Sequence, residues 1–230
     1  MAAISIIIPT LNEQQGIVPF LLKLQSLRAQ CELIVADGGS DDNTVVLTGT
    51  LVDKVIRSKK GRAIQMNTGA KVASAPLLLF LHADTFLPED AMSQIDHAID
   101  SGYHWGRFDV KLTGDPLTLI VVAWLMNIRS RWTGIATGDQ AIFIQKSLFD
   151  QLNGFANISL MEDIELSTRI NKLSKPYCSK SKVFTSGRRW INFGVFKTIR
   201  LMWWLRLQYF MGASPERLAQ LYQKGEFWKI

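Results

Sequence analysis

The chain has 230 residues, 47% hydrophobic and 20% charged, a balance that excludes disordered and collagen-like classes. That length suits one large α/β domain, and two cysteines, Cys31 and Cys178, supply neither a disulfide framework nor a cysteine-based zinc cluster. The net charge of +6 is unevenly spread: residues 1–100 carry 8 Lys/Arg against 11 Asp/Glu, whereas residues 180–230 carry 10 against 2. An acidic body with a basic tail points to an anionic partner near the C-terminus; lipid, a phosphate-bearing substrate and nucleic acid are the candidates. No basic n-region of a signal peptide precedes the first apolar run, so a cytoplasmic location is expected.

Residues 4–8 form a short β-branched apolar run that Pro9 should end, the pattern of a buried strand. Residues 14–29 have helical apolar spacing, and residues 32–36 read as a second strand entering the turn-forming run from Asp37 to Asn43. A short third strand at 54–57, a helix at 63–73 and a fourth strand at 77–82 follow, the last running into Ala83 and Asp84. Strands separated by helices of this length describe βαβ units and a mainly parallel sheet flanked by helices. In such sheets ligands sit beyond the carboxyl ends of the strands, where Glu13, Asp37 and Asp84 all fall. Each of these is also an ordinary turn or cap residue; their gathering on one sheet edge is the argument for a binding site.

The second half is less regular. Residues 106–112 read as a strand, and the apolar segment 116–126 is shorter than the ~20 residues a bilayer span needs. Gly138-Asp139-Gln140 precedes a strand at 141–145, and Met161-Glu162-Asp163 opens a helix expected to turn Ile164, Leu166, Ile170 and Leu173 inward. Residues 193–212 interleave Lys197, Arg200 and Arg206 with Phe196, Trp203, Trp204 and Phe210. Such an amphipathic helix suits a membrane interface, and equally a seat on the catalytic domain or on the second subunit of a homodimer. The expected organisation is a catalytic domain over residues 1–190 and a helical appendage over 191–230.

Taken in order, the motifs are Pro9-Thr10-Leu11-Asn12-Glu13, Asp37-Gly38-Gly39-Ser40, Gly61-Arg62-Ala63 with Asn67 and Gly69, and His82-Ala83-Asp84. Gly138-Asp139-Gln140, Glu162-Asp163 and Arg188-Arg189-Trp190 complete them. Over residues 4–190 this order resembles the family 2 glycosyltransferases, whose GT-A fold is a Rossmann-like, nucleotide-sugar-binding α/β domain. The run from Gly61 to Ala70 and the short length look like a small, non-processive branch of that family.

The resemblance implies a UDP- or GDP-sugar donor held by the segment from Pro9 to Glu13, by Asp37 at base and ribose, and by Arg62 at phosphate or base carbonyls. His82-Ala83-Asp84 occupies the place of the family's Asp-x-Asp metal motif, so Asp84 would ligate the ion. His82 is either a second ligand or a satisfied strand-end histidine. An imidazole suits Mn²⁺ better than Mg²⁺, which makes Mn²⁺ the first expectation and Mg²⁺ the second. Asp163 matches the acceptor base, with Glu162 and Asp139 placing or polarising the acceptor; acids at a helix start also serve as caps. Arg188, Arg189 and Trp190 resemble the end of a Gln-x-x-Arg-Trp motif, with Arg on diphosphate and Trp lining the acceptor side. Ser186 stands where glutamine is expected, which argues against processive synthesis.

The implied activity is inverting, metal-dependent transfer of a sugar to a hydroxyl or phosphate, with a lipid-linked acceptor and peripheral attachment to the inner face of a membrane among the expectations. A sugar nucleotidyltransferase would carry a Gly-rich basic loop where this chain has Pro-Thr-Leu-Asn-Glu. A non-catalytic basic membrane- or nucleic-acid-binding protein is the remaining alternative, and no nucleic-acid motif accompanies the charge.

Overall fold

The computed structural model describes residues 3–114 and 117–224, apart from the side chain of Arg189. Strand β1 (Ile4–Thr10) leads through α1 (Ile17–Leu24) to β2 (Cys31–Asp37), and α2 (Thr44–Thr48) leads to β3 (Lys54–Arg57). Helix α3 (Arg62–Val72) returns the chain to β4 (Leu77–Phe80) and the two-residue β5 (Thr85–Phe86). Then follow α4 (Ala91–Asp100), β6 (Trp105–Thr113), α5 (Thr118–Thr133), β7 (Ile142–Gln145) and α6 (Lys146–Gln151). The chain continues through α7 (Glu162–Asn171), β8 (Tyr177–Ser186), α8 (Arg188–Phe193), α9 (Val195–Phe210) and α10 (Pro215–Lys224).

The strands form one sheet in the order β3-β2-β1-β4-β7-β6-β8-β5. The first four are mutually parallel, β7 runs antiparallel to both its neighbours, and β6 and β8 pair in parallel. The sheet is therefore the mixed, mainly parallel α/β sheet that the alternating strand and helix patterns predict. Because helices cover both faces, β1 and β2 are apolar at nearly every position rather than at alternate ones. Ile4, Ile6 and Ile8 pack with Phe20, Leu21 and Leu24 of α1, while Ile7 and Ile34 pack with Met66 and Ala70 of α3 and with Leu166 of α7. Each such side chain contributes roughly 1.5–3 kcal/mol of transfer free energy. Gly69 brings α3 down on β1, where a Cβ would lie 2.5 Å from Ile7 Cγ2.

Two sequence expectations change, and one strand was not anticipated. Strand β1 continues through Pro9 to Thr10. Its pairing with β4 stops at Ile7, so the N–H that proline lacks falls beyond that ladder, while pairing with β2 persists to Thr10. Leu173 lies past the end of α7 and is exposed, whereas Ile164, Leu166 and Ile170 are buried as expected. Strand β8 has no apolar run to announce it: lysines and serines alternate with its buried positions Ser179, Val183 and Thr185.

A buried charge network joins β6 to α5. Arg107 is fully buried and pairs with Asp109, whose other oxygen accepts a hydrogen bond from Arg131 Nη2 at 2.7 Å. Arg131 also donates to the Cys178 carbonyl of β8 at 2.8 Å, and Asn127 exchanges hydrogen bonds with both backbone groups of Val110. No helix among the described residues is long and apolar enough to cross a membrane.

Candidate active site

The carboxyl ends of β1 and β2 carry two loops that are tied together side chain to backbone. Asn12, in the left-handed region at φ 55°, accepts from the Asp41 N–H at 2.9 Å, and its own N–H donates to the Ser40 hydroxyl at 2.9 Å. The Glu13 N–H donates to the Thr44 hydroxyl at 2.8 Å, and the Gln14 N–H donates to Asp42 at 3.2 Å. Beneath them, Gln65 of α3 donates to the Thr10 and Ala36 carbonyls at 2.7 and 2.9 Å. Gly38 is needed at that crossing, since a Cβ there would come within 2.9 Å of the Gln65 side chain.

This lattice explains Asp37. The residue is fully buried; one carboxylate oxygen accepts from the Gly39 and Ser40 N–H groups at 2.9 Å each, and the other from the Ser40 and Thr10 hydroxyls. Its carboxylate shapes the loop from within, and the turn reading of Asp-Gly-Gly-Ser is the one the geometry displays. Pro9 likewise pairs opposite Ala36 and lines neither cavity described below.

Two adjoining cavities open at this edge. The first, about 530 Å³, is lined by the loop residues Asn12, Glu13 and Asp42 together with Ala83, Asp84 and Arg188. The second, about 360 Å³, is lined by Arg62, His82, Asp139, Glu162, Asp163 and Trp190, among others. Asp84, Ser186 and Arg188 belong to both. Residues from opposite ends of the chain thus meet at Asp84.

The second cavity is a cluster of carboxylates set among guanidinium groups. Asp163 accepts from the Ile164 N–H at 2.7 Å and from the Gly138 N–H at 2.8 Å, one bond on each oxygen. These bonds fix its orientation and leave a second lone pair on each oxygen. Buried Glu162 has its pKa raised by burial and next by the charge of Asp163, with Arg62 opposing. Burial also works against ionisation of Asp139, but His82, Arg62 and Arg206 outweigh it and hold that carboxyl below its ordinary value. His82 Nδ1 lies 3.6 Å from Asp139 Oδ1. Gly138 makes room for that ring, because a Cβ there would stand 2.5 Å from His82 Cε1. The guanidinium of Arg62 is disfavoured by the enclosing walls, yet Tyr222, Glu162, Asp139 and Asp163 keep its pKa above the ordinary value.

The sequence-predicted residues Glu13, Arg62, His82, Ala83, Asp84, Asp139, Glu162, Asp163, Arg188 and Trp190 therefore line one continuous depression. The Arg188 Nε donates to the Ser186 hydroxyl at 2.9 Å, so the serine found in place of glutamine steadies the arginine beside it. The Arg189 side chain lies outside the described residues. Thr198, Met202 and Arg206 of α9 and Tyr222 of α10 also line the second cavity, and sequence reasoning missed them as site residues. Arg206 was visible only as a charge interrupting an aromatic run.

Among the described residues, no group of three or more His, Cys, Asp or Glu is assembled to hold a metal ion. The donor set nevertheless fits a hard divalent cation that takes its remaining ligands from a diphosphate. Glu13 and Asp84 line the same cavity, and the Glu13 pKa is raised by burial and next by the charge of Asp84, with Arg188 and Arg62 opposing.

Comparison with known proteins agrees with this architecture. The family model described as glycosyl transferase family 2 matches residues 5–117. A mannosyltransferase from Pyrobaculum calidifontis, solved with GDP-Man and Mn²⁺, superposes at a TM-score of 0.65 with 17% identity, over 97% of this chain and 69% of its own. TarS 1-349 from S. aureus gives a TM-score of 0.62 at 17% identity over 86% of this chain; the chain spans 64% of that 1-349 segment and 39% of the longer TarS chain. Glucosyl-3-phosphoglycerate synthase from Mycobacterium tuberculosis, solved with Mn²⁺ and UDP, gives 0.60 at 16% identity over 80% of this chain and 71% of its own. A search of curated proteins finds no match. With the motif-bearing loops on one edge of this sheet, and with the sequence match running from the first strand into the middle of the chain, the protein belongs to glycosyl transferase family 2 and has the GT-A fold.

Proposed function

We propose that the protein transfers a sugar from a UDP- or GDP-sugar to an acceptor oxygen, with inversion at the anomeric carbon and with help from Mn²⁺ or Mg²⁺. The observation that carries this reading is the meeting of two cavities at Asp84, one walled by the loops after β1 and β2 and the other by Asp139, Glu162 and Asp163. The structural neighbours solved with UDP-GlcNAc or with GDP-Man and Mn²⁺ support the donor class and the ion.

In this reading the nucleotide occupies the first cavity. The Asn12–Gln14 loop borders it, Asp37 holds that loop in shape from below, and Arg188 faces the diphosphate. Asp84 would hold the divalent ion, which when bound neutralises the charge that gathers on the departing diphosphate. Arg62 and Arg188 add fixed positive charge on the same side. The acceptor enters the second cavity. Its oxygen attacks the anomeric carbon from the face opposite the nucleotide, the bond from that carbon to the diphosphate oxygen breaks, and the nucleoside diphosphate leaves. Asp163, held by two backbone N–H groups, receives the acceptor proton. Glu162 and Asp139 place the acceptor, and Trp190 offers a ring face to a sugar.

Slow hydrolysis of UDP- and GDP-sugars tests this without knowledge of the acceptor. Turnover should require Mn²⁺ or Mg²⁺, vanish in EDTA, and release a free sugar whose first-formed anomer, read by proton NMR, is inverted. Retention of configuration, or full turnover in EDTA, would refute the mechanism.

A further inference from the structure

A third cavity, about 520 Å³, lies between α5 and α9, and its walls are mostly apolar. Val122, Leu125 and Met126 come from α5, and Ile199 and Trp203 come from α9. Its inner end is the acceptor side of the site already described, because Thr137, Asp139, Trp190, Met202 and Arg206 line both. Trp132 of α5 and Trp203 of α9 line it while remaining largely exposed, and the same two helices expose Trp124 and Phe210. The inner end also holds two guanidinium groups, Arg129 and Arg206. The Nε and Nη2 atoms of Arg129 are buried and have no hydrogen-bond partner among the described residues. Natural proteins rarely leave buried donors of a charged group unpaired. Burial, then the neighbouring charges of Arg206 and Arg107, push the Arg129 pKa down to about 10 despite the opposing Asp163. An anion at that spot would satisfy the donors and relieve the repulsion.

We propose that this groove holds the acceptor of the transfer and that the acceptor is a single-chain lipid phosphate, its chain between α5 and α9 and its head on Arg129 and Arg206. The proposal rests on the transferase reading and names its acceptor class: a phosphate oxygen attacks the anomeric carbon, the bond from that carbon to the nucleoside diphosphate breaks, and Asp163 takes the proton of the singly charged phosphate. A free anion leaves the apolar walls unused, and a neutral lipid leaves the Arg129 donors unpaired. A single-chain lipid phosphate uses both. The basic C-terminal segment and the aromatic lip then draw the protein to the membrane from which such a lipid is taken.

The test titrates the full chain with dodecyl phosphate, dodecanol and inorganic phosphate below micellar concentrations, read by tryptophan fluorescence and calorimetry. Dodecyl phosphate should bind at least tenfold more tightly than either of the others. Arg129→Gln should erase most of that advantage and Arg129→Lys should keep part of it. Leu125→Glu, at an exposed position on the groove wall, should abolish binding by placing a negative charge beside the chain. Thermal stabilisation by UDP- or GDP-sugar with Mn²⁺ should persist in all three variants, which also shows that they fold.

Equal affinity for dodecanol and dodecyl phosphate would overturn the proposal, as would binding that ignores Arg129→Gln and Leu125→Glu. So would capture by phosphatidylglycerol vesicles that dodecyl phosphate cannot compete, which makes the face a membrane contact alone. A dimer dissociated by Leu125→Glu, without lipid binding, would assign the groove to a second copy. Should no nucleotide sugar stabilise the wild type while dodecyl phosphate still binds, the transferase reading fails and the lipid site stands.

Discussion

The two halves of the molecule build their parts of the site by different physics. In the first hundred residues, parallel strands buried on both faces end on one edge, and the loops there are held by many short polar bonds: Gln65 under two strand ends, Asn12 and Ser40 across two loops, Asp37 inside its own turn. In the second half, one strand is reversed, helices α5 and α9 splay their aromatic residues outward, and charge is managed by a few buried ion pairs and by guanidinium nitrogens that have no hydrogen-bond partner among the described residues. Fixed backbone geometry suits a ligand that is the same in every turnover, such as a nucleotide and its diphosphate. Apolar walls and long side chains suit an acceptor that arrives from elsewhere. In the proposed function, Asp84 of the acidic first hundred residues serves the metal, and Arg188 and Arg206 of the basic last fifty serve anions.

That contrast can be broken at defined points. Asp163→Asn should reduce transfer by about 10²–10⁴-fold while leaving donor stabilisation unchanged; a loss of donor binding in that variant would move Asp163 to the nucleotide side. Asp109→Asn removes the counter-charge from buried Arg107 and from Arg131. It should cost about 3–5 kcal/mol in urea denaturation, because it strands guanidinium groups rather than replacing the network with apolar packing. An effect below 1 kcal/mol would mean that water enters the network freely.

The first half has its own buried charge. Glu32 binds Lys54 at 2.6 Å and accepts from Ser5 and from the Ser74 N–H. Burial opposes its ionisation, but these partners bring its pKa down from 4.5 to about 2. A depressed carboxylate stabilises the fold fully above its unfolded pKa, and that contribution fades as pH falls from 4.5 towards 2. Allowing for solvent around the partly exposed Lys54, the loss in acid is about 2 kcal/mol. Denaturation of wild type and Glu32→Gln at pH 6 and pH 2 checks this: the difference between them should shrink at the lower pH. Gly138→Ala should add about 1–3 kcal/mol of strain, accompanied by a lower kcat as His82 is pushed off Asp139. Unchanged kcat would remove His82 from the working site.

Much of the first half could be read from residue order alone. β-Branched runs ending in Asn, Asp and Gly announce strands and turns, and Glu13 and Asp84 stand at the ends that topology brings together. Asp37 was legible as a site residue but not its burial, since a turn acid and a ligand acid look alike before the backbone is traced. The second half hid more. Strand β8 alternates lysines with its buried residues, so neither composition nor periodicity marks it. Arg206 and Tyr222 reach the cavity only because α9 and α10 fold back to pack Leu201, Leu205 and Leu218 against Met161 and Ile164. The amphipathic segment was expected to meet the catalytic domain, a membrane or another subunit; one face of α9 packs on the domain, and Phe196, Trp203 and Phe210 remain exposed.

In the proposed function, Asp84 marks the point where a metal-bound nucleotide sugar meets its acceptor. Thermal denaturation of wild type and Asp84→Ala with a panel of UDP- and GDP-sugars, with and without Mn²⁺, tests it most directly. One nucleotide class should stabilise the wild type, Mn²⁺ should enhance the effect, and Asp84→Ala should lose the Mn²⁺-dependent part. Absence of stabilisation by every nucleotide sugar, or an Asp84→Ala response equal to wild type, would contradict it.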